Sequence, residues 1–117
     1  SDGVCITSDV LEGIRFAADS GAKAINLSLG GVRPAPAYQD ALNYAVSQGA
    51  FAAVAMGNEF EDGNPTEYPA AYAPGIGGVM SVGAVGRSLR RAYYSNTGSH
   101  LEISAPGGDD TRLRSRS

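Results

Sequence analysis

The run VAMGNEF, residues 54–60, leads a stretch of apolar residues into a glycine followed by an asparagine. An asparagine held at the end of a buried strand can present its side-chain amide as a fixed hydrogen-bond donor. A donor of this kind stabilises the oxyanion of a tetrahedral intermediate in acyl transfer. Asn58 is therefore a candidate oxyanion-binding residue, although an asparagine after a glycine is also common in turns.

His100 is the only histidine in the 117 residues, so any Ser-His or Cys-His pair must use it. No GxSxG-type nucleophile elbow accompanies it. We therefore expect a loop histidine. An alternative is a small hydrolase or esterase with an improvised Ser-His site in which His100 is the base, because esters need less assistance than amides.

Acidic side chains follow Asn58 closely, and carboxylate oxygens are the ligands that calcium prefers. They are Glu59, Glu61, Asp62 and Glu67. Their spacing fits no EF-hand loop, so we expect a solvated charged loop without a metal. The single Cys5 leaves no cysteine cluster for zinc and no internal disulfide.

The composition is that of a small folded domain, with 43% hydrophobic residues and a net charge of −3. This charge offers no electrostatic basis for binding nucleic acid or an anionic membrane. No apolar run approaches the ~20 residues of a membrane span, and the start does not resemble a signal peptide. We expect no cofactor, no nucleic acid and no membrane partner.

Helical and strand-like periodicities alternate along the chain. They predict helices over 8–20 and 36–48 and strands over 23–29, 51–56 and 79–85. Asp9 and Glu12 have the spacing of a capping box, and Gly21 and Gly49 follow the two helices as stop signals. The alternation predicts an α/β fold with about three parallel strands and flanking helices.

After Val85 the sequence changes to short segments, which predict a small antiparallel addition near the C-terminus. In a parallel sheet, ligands collect beyond the carboxyl ends of the strands. Two predicted strands end in Gly30-Gly31 and in Gly57-Asn58, and glycine lets a backbone approach a bound chain closely. The predicted fold therefore also makes Asn58 a candidate site residue.

Four segments carry a resemblance to a known family: GAKAINLSLGG, AMGNE, YPAAY with VMSVGAV, and YSNTGSHLEISAPGG. They occur in the order and spacing of the subtilisin-like serine proteases. The chain resembles an internal fragment of a subtilase catalytic domain over residues 1–108, and the resemblance implies a three-layer α/β fold. Residues 109–117 do not resemble the family, and we expect a disordered tail there.

The resemblance implies a substrate cleft with two walls. One wall, here called the first wall, pairs with the substrate on the nonprimed side and bounds the pocket for the residue before the scissile bond. Its residues are Ser28, Leu29 and Gly30. The second wall lies opposite and consists of Ala55, Met56 and Gly57. Met56 stands where the family often has alanine, which would narrow this wall, and Asn58 corresponds to the family's oxyanion-hole asparagine.

The resemblance also implies a secreted parent enzyme that acts on polypeptides, and weak binding of calcium or a monovalent cation near Tyr68–Tyr72. Motifs of the HGTHVAG and GTSMA type, which carry the family's catalytic histidine and serine, are absent from the 117 residues, as is the catalytic aspartate's segment. We therefore expect no peptidase activity from the chain alone.

A further alternative is a non-catalytic module that self-associates or binds peptides. The strand containing Ile25 to Leu29 would expose an unpaired edge, and such an edge can pair with a second copy or an extended peptide.

Overall fold

The structure is a computed structural model of the chain and describes residues 5–109. Two α-helices, four β-strands and two short 3-10 helices follow one another along these residues. The α-helices are α1 (Thr7–Asp19) and α2 (Ala37–Ser47). The strands are β1 (Ala24–Leu27), β2 (Phe51–Ala55), β3 (Val79–Val85) and β4 (Ile103–Pro106). The 3-10 helices are Phe60–Asp62 and Ala70–Gly75. The predicted tail lies outside the described residues from residue 110 onward.

The start of α1 differs from the predicted capping box. The residue before the helix is Ile6, and no side chain caps the first turn. Because the helix begins at Thr7, Asp9 lies inside the first turn and cannot serve as the cap. Its carboxylate there still interacts favourably with the positive end of the helix dipole.

Both α-helices end two residues before the predicted glycines. Gly21 and Gly49 adopt φ of +86° and +94°, in the left-handed region that glycine enters without steric cost. The N–H of the residue after Gly49 then reaches back into the last turn, where Ala50 donates to the Ala45 carbonyl at 3.0 Å. These turns set the short paths from each helix into the next strand.

The strands form one sheet in the order β1-β2-β3-β4, and every neighbouring pair is parallel. The predicted antiparallel addition is wrong, because β4 pairs with β3 in parallel. The antiparallel pairing in this region is the isolated bridge between Val85 and Arg91. The segment from Gly86 to Glu102 is long enough for a parallel crossover, which needs about a dozen residues or more.

Strand β1 is shorter than the predicted 23–29. Its pairing with β2 ends at Leu27 opposite Val54, and the chain then leaves the sheet. Beyond this point Gly31 pairs with Tyr68 in an isolated antiparallel bridge. The first wall therefore lies just past the carboxyl end of β1 and is held by the segment around Tyr68.

The hydrophobic core lies on the helical side of the sheet. Alternate strand residues such as Leu27 and Val54 pack there with Leu42 and Ala45 of α2, and all four are buried. Helix α1 packs against α2 and contributes Ile14 to the same core. Within residues 5–109, no helix has the length and apolar character that crossing a membrane requires.

The opposite side of the sheet, here called the open face, is formed by the other alternate residues. They are Ala24, Asn26, Phe51, Ala53, Ala55, Met80, Val82, Ala84, Ile103 and Ala105. Phe51 and Ile103 are 42% and 48% exposed, and no described helix packs on this face. Because parallel sheets are normally covered on both faces, the second helical layer of a three-layer fold is missing from residues 5–109.

Candidate active site

The carboxyl ends of β1 and β2 bring the two walls to one depression. Leu27 pairs with Val54 in the sheet, so Ser28 and Ala55 are the next residues on neighbouring chains. Both line a depression of about 270 Å³, together with Asn26, Met56, Gly57, Asn58, Tyr94, Ser95, Pro106 and Gly107 among others. The structure thus brings together Ser28, the whole second wall and Asn58.

The rest of the first wall faces a second, larger groove. Leu29 and Gly30 line a volume of about 540 Å³ with Ser28, Tyr38 and Tyr68. Ser28 lines both hollows and therefore lies at their junction. A chain lying along the first wall would run between them.

Met56 of the second wall is also a core residue. It is 1% exposed and belongs to the hydrophobic core on the helical side. Side chains alternate along a strand, so Ala55 points to the open face when Met56 points into the core. Met56 is also among the residues around the depression, and a narrowing of the wall by its side chain stays a prediction.

Gly57 and Asn58 form the turn after β2. Gly57 has φ of +112°, a conformation that favours glycine. Asn58 is exposed at the rim of the depression, and its backbone N–H donates to Glu59 Oε2 at 2.8 Å. This turn directs Asn58 toward the space where a ligand could lie, while a role for its amide in binding an oxyanion stays a prediction.

Asn96 is a buried residue of the site that the sequence did not single out. It is 1% exposed, and its Oδ1 accepts the Glu59 N–H at 2.8 Å. Its Nδ2 donates to the Pro65 carbonyl at 3.0 Å and to Glu67 Oε2 at 3.1 Å, and its own N–H donates to the Gly57 carbonyl at 3.0 Å. Asn96 therefore joins both ends of the loop that carries Asn58. In the sequence Asn-Thr-Gly resembles an ordinary turn, and no local pattern distinguishes it.

Glu67 lies behind Gly57 and is 6% exposed. Burial, followed by a side-chain hydrogen bond and the like charge of Glu59, raises the pKa of Glu67 to about 7. The Glu67 carboxyl group is therefore partly protonated near neutral pH. The expected solvated acidic loop is wrong for Glu67, whereas Glu61 and Asp62 are exposed.

Arg91 holds the opposite rim of the depression. Its Nη1 lies 2.8 Å, 2.9 Å and 3.1 Å from the carbonyl oxygens of Ala92, Tyr93 and Ser95. The guanidinium also lies 3.5 Å from the ring centroid of Phe60, in the loop after Asn58. The guanidinium group of Arg91 therefore joins the loop after β2 to the loop after β3.

His100 does not form a serine-histidine pair in the described residues. Ser81 Oγ donates to the carbonyl oxygen of His100 rather than to its ring. This bond fixes the returning chain ahead of β4, and no serine among residues 5–109 is hydrogen-bonded to the imidazole ring.

In the described part of the chain, no group of three or more His, Cys, Asp or Glu side chains could hold a metal ion. Near Tyr68–Tyr72, the carbonyls of Glu67 and Pro69 accept backbone N–H groups from Ala71 and Tyr72 at 3.0 Å and 2.9 Å. Weak cation binding to carbonyls of this segment stays a prediction.

Comparison with known proteins places this geometry in a family. The subtilase family model (peptidase S8) matches residues 1–117, and so includes the tail that the sequence pattern set apart. The chain is 41% identical over 103 residues to the thermophilic serine proteinase of Bacillus sp. strain AK1, covering 87% of this chain and 24% of that protein. It is 36% identical over 107 residues to subtilisin BL of Lederbergia lenta, covering 92% and 38%.

A solved structure shows the same fold. A protease from Pseudoalteromonas arctica aligns with a TM-score of 0.74 and 35% identity, covering 89% of this chain and 32% of that chain. The chain thus spans about a quarter to two fifths of the length of these relatives. The family match over the whole sequence, together with the parallel sheet and its shared arrangement, shows that the chain belongs to the subtilase family.

Proposed function

We propose that the chain supplies the substrate-binding walls and the oxyanion-side asparagine of a secreted subtilisin-like serine endopeptidase that cleaves polypeptides. One observation carries this proposal. Ser28, at the end of β1, and residues Ala55 to Asn58, at the end of β2, line the same depression. The relatives named above are proteinases, which supports a polypeptide as the ligand.

The positions of the two strand ends suggest how a peptide would bind and how its scissile carbonyl would be stabilised. An extended peptide can pair its backbone with the first wall, because that segment has left the sheet and its backbone is no longer paired with β2. The carbonyl of the bond to be broken would then lie toward Asn58. An amide donor that is already in place stabilises the developing oxyanion more than the ground-state carbonyl.

The 117 residues contain neither of the motifs that would carry the nucleophile and the general base, so we propose that this chain alone does not cleave peptides. The test is a chromogenic tetrapeptide anilide assay combined with fluorophosphonate labelling, read by intact mass. We expect no turnover and no adduct, with a full-length subtilisin as the positive control. Turnover that disappears in Asn58→Ala would contradict the inactivity of the chain.

Peptide binding tests the cleft itself. Unlabelled tetrapeptide amides are titrated into the isotopically labelled chain, and backbone amide shifts are followed by NMR. We expect the largest shifts at Ser28–Gly30 and Ala55–Asn58. Asn43→Ala is the matched control for Asn58→Ala, because Asn43 is an exposed asparagine on α2. Shifts that are spread evenly over the surface, or the absence of any shift, would contradict peptide binding in the cleft.

The esterase alternative gains no support from the hydrogen bonds, since Ser81 meets the His100 carbonyl and not its ring. Ester turnover by the chain, compared before and after His100→Ala, decides this alternative. We expect the same background rate in both proteins.

A second candidate function is self-association, and the open face favours it. This face is largely apolar, and β1 has an outer edge without a partner strand among residues 5–109. Exposed apolar surface and unpaired edges both promote pairing with another chain. We propose that two copies associate through the open face and the β1 edge.

Light scattering over a wide concentration range tests this association. The double variant Phe51→Lys/Ile103→Lys places two charges on the open face and is expected to shift the protein toward monomer. Phe16→Lys is the control, because Phe16 is 72% exposed on α1, on the helical side. A wild-type chain that remains monomeric at every concentration would exclude the association.

A further inference from the structure

We propose that Glu67 closes the base of the pocket between the two walls and selects a lysine or arginine side chain before the scissile bond. This inference rests on the proposed function, because it names the side chain that the proposed cleft would take. It is carried by the position of Glu67 and by the charges around it.

Glu67 lies between a glycine of each wall. A Cβ atom placed on Gly57 would overlap Glu67 Oε2 and would lie 2.8 Å from Glu67 Cδ. A Cβ atom placed on Gly30 would lie 3.5 Å from Glu67 Oε1. The two carboxylate oxygens therefore each face one wall, and neither wall has a side chain at that point.

Backbone hydrogen bonds fix this arrangement. The N–H of Gly31 donates to the Tyr68 carbonyl at 3.0 Å, and the N–H of Tyr68 donates to the Gly31 carbonyl at 2.8 Å. This pair ties the first wall to the residue after Glu67. Asn96 ties Glu67 to the Gly57 side, as described above. The backbone beside Glu67 is thus fixed to the chain that follows the first wall, and the carboxyl group is held on the Gly57 side.

The carboxyl pair has no positive partner in the described structure. Glu59 is the titratable group that faces Glu67, and no lysine, arginine or histidine among residues 5–109 pairs with either carboxyl group. Arg91 directs its guanidinium to backbone carbonyls and to the Phe60 ring instead. Asn96, which donates to Glu67 Oε2, and the neighbouring Gly30 and Gly57 carry no charge.

A ligand cation can supply the missing charge. Buried carboxylates without a counter-ion are costly, and an ammonium or guanidinium group compensates them by charge-assisted hydrogen bonds. The bound cation favours the ionised form, so its binding releases a proton from the Glu67 carboxyl group. Affinity for a cationic side chain should therefore rise as the pH rises through about 7.

The experiment measures fluorescence anisotropy of labelled tetrapeptide amides that end in lysine, norleucine or glutamate, titrated with the 117-residue chain. Norleucine has the same methylene stem as lysine without its charge. At about pH 8 we expect the lysine peptide to bind about tenfold more tightly than the norleucine peptide and the glutamate peptide to bind most weakly. At about pH 5 the preference for lysine should fall to about threefold or less.

Variants assign the preference to Glu67. Glu67→Gln keeps the shape of the side chain and should remove the preference for lysine at both pH values. Glu59→Gln is a second variant that should weaken it in case Glu67→Gln does not fold, which circular dichroism would reveal. Glu12→Gln, on the exposed side of α1, is the matched control and should keep the wild-type preference.

The outcomes separate the two proposals. Equal binding of the three peptides overturns the role of Glu67 and leaves the cleft in place. The absence of binding by any peptide overturns both the cleft and the selection. A lysine preference that survives in Glu67→Gln and in Glu59→Gln assigns the selection to other residues and also overturns this inference.

Discussion

Glu67 Oε2 occupies the space that a side chain at Gly57 would fill. The two residues are therefore matched: Gly57 leaves room for the carboxyl group, and the carboxyl group lies directly behind the wall that precedes Asn58. Gly57 also has φ of +112°, so glycine is required there for conformation as well as for space. The geometry of the turn after β2 depends on this match.

The first prediction concerns Gly57→Ala. The new methyl group would collide with Glu67 and strain the backbone, and we expect a loss of roughly 2–4 kcal/mol in the free energy of unfolding. Urea denaturation measures it. Gly31→Ala is the matched control, because Gly31 has an ordinary φ and open space around it; we expect a change within about 0.5 kcal/mol. Equal losses in both variants would contradict the steric argument.

The second prediction concerns the pH dependence of stability. The pKa of Glu67 is raised from 4.5 to about 7 in the folded protein, so between these values the folded state holds a proton that the unfolded state releases. This contribution to stability is complete below pH 4.5 and is lost as the pH rises through about 7. Glu67→Gln removes the titration, and its stability relative to wild type should increase with pH.

We expect the difference between Glu67→Gln and wild type to grow by on the order of 2 kcal/mol between about pH 4.5 and about pH 8. Thermal unfolding at a series of pH values measures it. Glu12→Gln provides the comparison for an exposed glutamate and should show a flat difference. A flat difference for Glu67→Gln as well would mean that Glu67 is ionised normally in the folded protein.

Periodicity was sufficient to predict the parallel sheet, because helix and strand patterns alternate and glycines mark the helix ends. It failed after Val85, where the chain returns to the sheet through a long irregular crossover. The partners that hold this crossover, such as Ser81 with the His100 carbonyl, are far apart in sequence. A local pattern contains no information on such bonds, so the segment containing β4 was predicted to be part of an antiparallel addition.

The site could be predicted only as far as it follows from the strand order of the sheet. The ends of β1 and β2 follow from the sheet, and in the structure Ser28 and Asn58 line one depression. The buried layer beneath them was not predictable, because Glu67 and Asn96 have residue types that normally indicate solvated loops and turns. Both are buried, and they are joined by a hydrogen bond between residues 29 positions apart, which only the folded chain shows.

The third prediction concerns Arg91→Lys. A lysine keeps the charge but lacks the planar group that stacks on Phe60 and reaches the carbonyls of Ala92 and Ser95. We expect a loss of about 1–2 kcal/mol in stability, measured by urea denaturation. Arg87→Lys, at an exposed loop position, is the control and should be close to neutral. A neutral Arg91→Lys would show that charge alone joins the two loops.

The last prediction concerns Asn96→Ala. The substitution leaves the N–H of Glu59 and the carbonyl of Pro65 without their partner, and it removes the donor to Glu67 Oε2. Because unpaired buried polar groups are costly, we expect a loss of about 2–4 kcal/mol. Asn43→Ala, which removes one exposed bond to the Gln39 carbonyl, should cost about 0.5 kcal/mol or less. Hydrogen exchange should also increase at the Glu59 amide in Asn96→Ala, since that amide loses its acceptor. A protected Glu59 amide in the variant would show that Asn96 does not hold the loop carrying Asn58.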